Sequence, residues 1–257
     1  MNVKVNLVGF KTILKNEIKR ILRIWPQTIV PPAISISLYF LIFGEILFKD
    51  KIINVNNQLI PYRDYLLPGL IATTVIMNSY NNSSSSLFSA KFQKSIDELL
   101  ISPLSAYVII MGYIFGGIVR GILNGIVVFM VTKIFVSFNV ESYTMLSLTI
   151  FFMSFFFATA GIINAIFSTN FNDMTRLPSF FLTPMVYLGG VFFTIEMLPS
   201  FWQNIALLNP IFHFINILRY SFFKVNNLNI SSCILIILCC VVIYVLSVYF
   251  FKTKLQK

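Results

Sequence analysis

The sequence predicts an all-α membrane protein with six transmembrane helices, an N-terminal amphipathic helix lying on the interface, and re-entrant outer helices before the last crossing. Two observations carry this. Mean hydropathy is +0.84 with only 11% charged residues, far outside the soluble range. Apolar stretches recur at residues 29–48, 106–136, 144–167, 178–193 and 231–251, and a span needs about 20 residues at a rise of about 1.5 Å each. These runs are too long and continuous for the alternating strands of an outer-membrane barrel.

Before the first crossing, Leu7, Phe10, Leu14, Ile18, Ile21 and Trp25 repeat at helical steps, with Lys11, Lys15, Lys19 and Arg23 on the other side. Residues 7–24 are therefore expected to lie on the inner membrane surface, where basic side chains meet anionic headgroups of the membrane lipids. Glu17 falls inside the apolar arc. Two readings stand for it: an acid reaching water at the helix edge, or a contact with a protein partner. Pro26, Pro31 and Pro32 are expected to separate this helix from the first crossing.

The second crossing turns on a polar run, NSYNNSSSS, at 78–86. Residues 65–77 alone would reach about 20 Å as a helix, short of the roughly 30 Å hydrocarbon thickness. Continued through the polar run to Ala90 the helix reaches about 39 Å, which places Lys91 and Lys94 at a cytoplasmic end. Asn78, Asn81, Asn82 and Ser83 then face other helices as packing contacts, or line a translocation route; a plain loop is the third reading.

KFQKSIDELLISPLS, residues 91–105, places Ile96, Leu99 and Leu100 at helical spacing, with Asp97 and Glu98 pointing elsewhere and Pro103 as a stop. It reads as a short amphipathic cytoplasmic helix. The third crossing holds GYIFGGIVRGILNG, whose Gly112–Gly116 and Gly117–Gly121 spacings allow close helix approach. Arg120 within it calls for backbone carbonyls, a carboxylate or a substrate anion as its partner. The fourth and fifth crossings are joined by STNFNDMTR, expected as a cytoplasmic turn carrying Asp173 and Arg176. The fifth is interrupted by Pro184 and the Gly189–Gly190 pair. Residues 196–230 are too broken for a clean crossing and read as one or two helices in the outer leaflet. His213 among aromatics fits a packed or interfacial imidazole better than a metal ligand, and Cys233, Cys239 and Cys240 fit packing.

The chain carries 19 Lys and Arg against 9 Asp and Glu. In a membrane chain this sets topology and does not imply nucleic acid. Lys4, Lys11, Lys15, Lys19, Arg20 and Arg23 place the amino terminus in the cytoplasm, and Lys252, Lys254 and Lys257 place the carboxyl terminus beside it, so the crossings are even in number. Lys49, Lys51 and Arg63 fall on the opposite side, partly balanced by Asp50 and Asp64. No cleavable leader is expected. A phosphate-binding GxxxxGK[ST] loop, HExxH and a GxSxG elbow are missing, so catalytic, cofactor-binding and metal residues are none and the chain is not expected to be an enzyme.

The surface helix, KSIDELLISPLS between crossings two and three, and LPSFWQNIALLNPIFHFINILRY before the last crossing resemble the ABC-2-type permease subunits of bacterial ABC exporters, across nearly the whole chain. LPGLIATTVIMNSY, GGIVRG and LTPMVYLGGVFF look like the YadH branch of inner-membrane permeases. The resemblance implies a single transmembrane domain over 1–257 with a type V exporter-like fold. It further implies a self-dimer in the bacterial inner membrane and a separate ATP-binding subunit that holds ATP and Mg. Residues 91–103 would be the coupling helix that enters the ATPase, with Lys94, Asp97, Glu98, Leu99, Leu100, Pro103 and Glu17 as its contacts. Residues 196–230 would be re-entrant helices capping the route. KSIDELL departs from the glycine-bearing stretch of many relatives. An ion-coupled secondary transporter is the rival class, weakened by the lack of a titratable relay inside the crossings.

Overall fold

A computed structural model describes residues 3–48, 51–55, 58–136, 138–224 and 230–256; Lys49, Asp50 and Lys257 lie outside the described residues. Four helices among them are long and apolar enough to cross a membrane: Trp25–Gly44, Ala106–Phe135, Tyr143–Phe167 and Ile230–Leu255.

The amino-terminal helix α1 (Val3–Arg23) is followed after a single residue, Ile24, by α2 (Trp25–Tyr39), which continues as π-helical turns over Phe40–Leu47. The prolines do not divide surface helix from crossing as expected. Pro26 sits in the first turn of α2, where a missing N–H costs nothing, and Pro31 and Pro32 lie inside the helix. Nor is α1 separate from the bundle. It climbs beside the first half of α5 (Ala106–Phe135): Gly9 faces Leu104, Ile13 faces Gly112 and Glu17 faces Gly116. Ile13, Glu17 and Ile21 form its buried stripe, while Lys4, Lys11, Lys15, Lys19 and Arg23 stay exposed. α2 continues up the same helix until Phe40 stacks on Phe135 at 5.8 Å.

In the loop expected over 49–63, Ile52–Val55 and Gln58–Pro61 pair as antiparallel strands β1 and β2, with buried Ile53 opposite buried Ile60. The two isoleucines face each other across the pair, so each shields the other from water.

Helix α3 (Tyr62–Phe92) is the mast of the fold, packed on α5 and on α6 (Tyr143–Phe167). It has the length of a crossing, and its polar run is helical throughout. Leu66, Leu67, Ile71 and Val75 fill an outer core, and Leu87 and Phe88 an inner one. The close approach has a steric cause: a Cβ on Gly117 would lie 2.7 Å from the Ala158 Cβ, and one on Gly116 would lie 2.8 Å from the Glu17 Cγ. The two glycine spacings thus serve two partners, α1 on one face and the α3–α6 pair on the other. Lys91 at the foot of α3 donates to the Ile166 and Ser168 carbonyls, 2.9 and 2.7 Å away, and so closes the end of α6.

After α6, the expected turn over 168–176 is helical from Phe171, because Asn170 Oδ1 accepts the Asp173 amide at 2.8 Å and caps it. The helix runs as α7 (Phe171–Leu177), π turns over Pro178–Leu182 and α8 (Thr183–Leu188). It stops at the glycine pair, with Gly190 at φ 78°. A 3-10 turn at Ile195–Met197 leads to α9 (Ser200–Leu208) and α10 (Pro210–Phe223), parted at Asn209. At about 14 and 21 Å both are too short to cross. The end of this stretch, 225–229, lies outside the described residues.

α10 is anchored by a buried cation. The Arg219 guanidinium lies 4.0 Å over the Tyr65 ring and donates to the Gly190 carbonyl. The Tyr65 and Tyr62 hydroxyls donate to the carbonyls of Phe193 and Phe192 at 2.9 and 3.0 Å. The amino-terminal end of α3 therefore grips the segment after α8. The chain closes with α11 (Ile230–Leu255) against α6.

Candidate functional site

Two places gather the polar residues singled out in the sequence. The first lies where α1, α3 and α5 meet. Glu17 is 5% exposed, so its carboxylate neither reaches water at the helix edge nor offers a surface to a partner protein. It is held inside the chain: Arg20 Nη2 donates to Oε2 at 3.0 Å, Asn82 Nδ2 at 3.4 Å, and the Ser86 hydroxyl bonds to Oε1. Arg20 Nη2 also reaches Asn82 Oδ1 at 2.9 Å and the Asn82 carbonyl at 3.2 Å. Arg120 comes in from α5, and its Nη1 lies 3.5 Å from the same Asn82 Oδ1.

Asn82 is the hub, with an amide able to accept from both arginines and donate to the acid. Glycine at 116 lets the Glu17 side chain lie against the α5 backbone. Of the three partners the sequence left open for Arg120, this contact is with a side-chain amide. Arg20 was counted only as a topological charge; its position three residues after Glu17, on the same helical face, was the available signal.

The rest of the polar run divides by face. Ser79, Asn82 and Ser83 are fully buried, and Asn78, Ser84 and Ser86 nearly so. Ser83 donates to the Tyr113 carbonyl at 3.3 Å, Asn78 to the Thr74 carbonyl at 3.0 Å, and Ser84 accepts from Asn164 at 3.2 Å. The Ser83 and Ser84 bonds are helix-to-helix contacts, whereas Asn78 bonds back to its own helix. Asn81 alone in the run is exposed, on the side of α3 turned away from α5.

The second place is α4 (Ser95–Ile101), at the foot of α3. Lys94 turns the chain in a left-handed conformation, φ 58°, and Ser105 caps α5 on the far side. Asn6 of α1 accepts the Ser105 amide at 3.3 Å, so α1 is tied to the base of this helix. Lys94, Asp97, Glu98 and Pro103 are exposed, whereas Ile96 is buried. Leu99 and Leu100 pack partly into the inner core instead of projecting. The apolar group of α4 that projects is Ile101, 86% exposed. The helical spacing in the sequence singles out Ile96, Leu99 and Leu100 and leaves Ile101 unnamed.

His213 is engaged at both ring nitrogens, 3.1 Å from Ser232 Oγ and 2.9 Å from the Leu207 carbonyl. No group of His, Cys, Asp and Glu that could hold a metal ion occurs among the described residues.

With this geometry in hand, comparison with known proteins is decisive. The profile of the ABC-2 type transporter family matches residues 8–223. The chain belongs to the ABC-2-type transporter family. This ABC-2 chain is 44% identical over 220 residues to the inner membrane transport permease YadH of Escherichia coli K12, covering 86% of the chain and 85% of that protein. It is 24% identical over 185 residues to the probable multidrug ABC transporter permease YbhR of the same organism, covering 69% of the chain and 48% of the relative. Nodulation protein J of Sinorhizobium fredii is 23% identical over 161 residues, with 62% of each chain covered. The ABC-2 match includes α1 from residue 8 onward, the whole of α3 to α6 and the paired helices α9 and α10.

Proposed function

We propose that this chain is the membrane-spanning half of an ATP-driven exporter in the bacterial inner membrane. Two copies form the route, and a separate ATP-binding subunit, which carries ATP and Mg, docks below each. The observation that carries the reading is α4: a short, exposed helix presenting Asp97, Glu98 and Ile101 at the foot of the most buried helix in an ABC-2 chain. Anything that grips α4 acts on α3 directly, and on α1 through Asn6 and Ser105.

In this reading the whole of 1–257 is one transmembrane domain with six crossings: α2, α3, α5, α6, the Phe171–Leu188 run and α11. Both termini are cytoplasmic, and α9 and α10 dip into the outer leaflet as a cap. Closure of the ATPase pair moves α4, and the permease responds because nucleotide binds the two arrangements with different affinity; without that difference nothing shifts. The cargo is a lipid, glycan or drug, large or amphipathic as the family resemblance implies; the relative YbhR is named a probable multidrug permease. Asn81, the exposed amide of α3, is the route-lining member of the polar run.

Affinity purification in mild detergent tests the reading. The wild-type chain should bring down a protein bearing a phosphate-binding loop, and Ile101→Asp should lose it while remaining folded. Undiminished co-purification with Ile101→Asp and Asp97→Lys combined would sink the assignment of α4.

A further inference from the structure

The cluster of α1, α3 and α5 does not balance its charge. Glu17 is one carboxylate; Arg20 and Arg120 are two guanidinium groups. Arg20 satisfies the acid. Arg120 is left with a neutral amide at 3.5 Å, and its Nε is buried without a hydrogen-bond partner. The Arg20 Nε is in the same condition. A cation withdrawn from water with open N–H groups is costly unless an anion completes it.

Among the described residues, no carboxylate besides Glu17 lies at that depth to do so. Arg120 stands about 21 Å above the inner end of α5. Of the acids among the described residues, Glu45 and Asp64 belong to the outer ends of the first two crossings, and Glu141 and Glu196 to outer connections. Asp97, Glu98 and Asp173 belong to inner connections. A second copy of the chain carries at that level only its own Glu17, already engaged with its own Arg20. Arg120 is only half-buried, and it sits beside Asn82 of α3 and the Glu17–Arg20 pair of α1.

The geometry points to Arg120, with Arg20 and Asn82 behind it, as a binding site for the phosphate or carboxylate group of an anionic ligand that enters between α1 and α3. Arg120 supplies the forked donor, which suits a planar or tetrahedral oxyanion. Asn82 holds both guanidinium groups in place, and Glu17 fixes Arg20 so that the cluster keeps a single net positive charge when empty. As a statement about cargo this rests on the permease reading and narrows amphiphiles to anionic ones; as a statement about binding it is tested without any ATPase.

The test uses the purified full-length chain in maltoside micelles, which contain no phosphate, and follows thermal unfolding. The probes are dioctanoyl phosphatidic acid, its neutral analogue dioctanoylglycerol, and inorganic phosphate. Phosphatidic acid should raise the unfolding temperature saturably and dioctanoylglycerol should not. Arg120→Gln should weaken the apparent affinity about tenfold or more, the size of a lost charge-assisted hydrogen bond, while the exposed-surface change Lys15→Gln leaves it unaltered. A response to inorganic phosphate that Arg120→Gln abolishes also supports the site and assigns it to free anions; a response to phosphatidic acid alone assigns it to membrane-borne ones. Hydrogen exchange on the wild type keeps the test decisive if Arg120→Gln does not fold: protection on ligand addition should appear in 78–86 and 116–124. Protection confined to the basic surface of α1, equal responses to the neutral analogue, an unweakened Arg120→Gln, or no response to either anion would overturn the proposal.

Discussion

Glu17 and Asn82, 65 positions apart in the chain, are joined directly by a hydrogen bond of 3.4 Å and a second time through Arg20. An acid that a helical wheel places among lipid-facing residues is thereby the fastening of the amino-terminal helix to the centre of the bundle.

Removing that acid should loosen α1. Glu17→Gln leaves the half-buried Arg20 and Arg120 without a counter-charge and is expected to cost about 2 kcal/mol, less than a fully enclosed pair because Arg20 is partly exposed. Glu17→Gln combined with Arg20→Gln should recover part of the loss. A double-mutant cycle on unfolding in detergent checks this, with a coupling of about 1 kcal/mol or more expected and additivity contradicting it.

Gly117 and Gly44 make a matched pair for the packing claim. A methyl group at Gly117 meets Ser83 and Ala158 on two other helices, so Gly117→Ala is expected to destabilise by about 1–3 kcal/mol. At Gly44 the nearest atom is at 3.4 Å, and Gly44→Ala should fall within about 0.5 kcal/mol of wild type. Thermal melts of the two variants side by side provide the comparison.

At the outer end, Arg219→Ala removes the cation over Tyr65 and strands the Gly190 carbonyl, which should cost about 2–3 kcal/mol. Tyr65→Phe keeps the ring and loses only the bond to the Phe193 carbonyl, about 1 kcal/mol. Arg219→Lys should not restore wild-type stability, since an ammonium cannot stack flat on the ring. Unfolding temperatures in that order would bear out the clamp.

Thiol labelling separates the faces of α3. In a background with Cys233, Cys239 and Cys240 changed to Ala, Asn81→Cys should react with a small water-soluble maleimide, and Asn82→Cys and Ser83→Cys should not. Equal labelling at 81 and 83 would contradict the packing of that helix face.

The helices themselves were legible because hydrophobic length dominates their formation. The boundaries of α5 and α6 fall within one residue of the apolar stretches that announced them. The polar run was legible as helix from the distance it had to span, but its sidedness was not. Asn81 and Asn82 are chemically identical neighbours, and only the placement of α1 and α5 decides that one is enclosed and the other open. Prolines 31 and 32 misled for a related reason: their missing N–H groups signal a break in isolation, while tertiary packing of α2 along α5 keeps the helix whole. The charge cluster was visible as separate residues. Its assembly depends on α1 climbing beside α5, a contact made through glycines and therefore silent in any reading of side-chain pattern.

The glycine contacts of α5 also determine where this protein can yield. Where backbones touch with only hydroxyls and a methyl between them, there are no long side chains to re-rotamerise and no slack to take up strain. Helices α3, α5 and α6 must then travel as a single stiff beam, and displacement imposed at its foot arrives undiminished at its head, where the Tyr65–Arg219 clasp holds the closing segment shut.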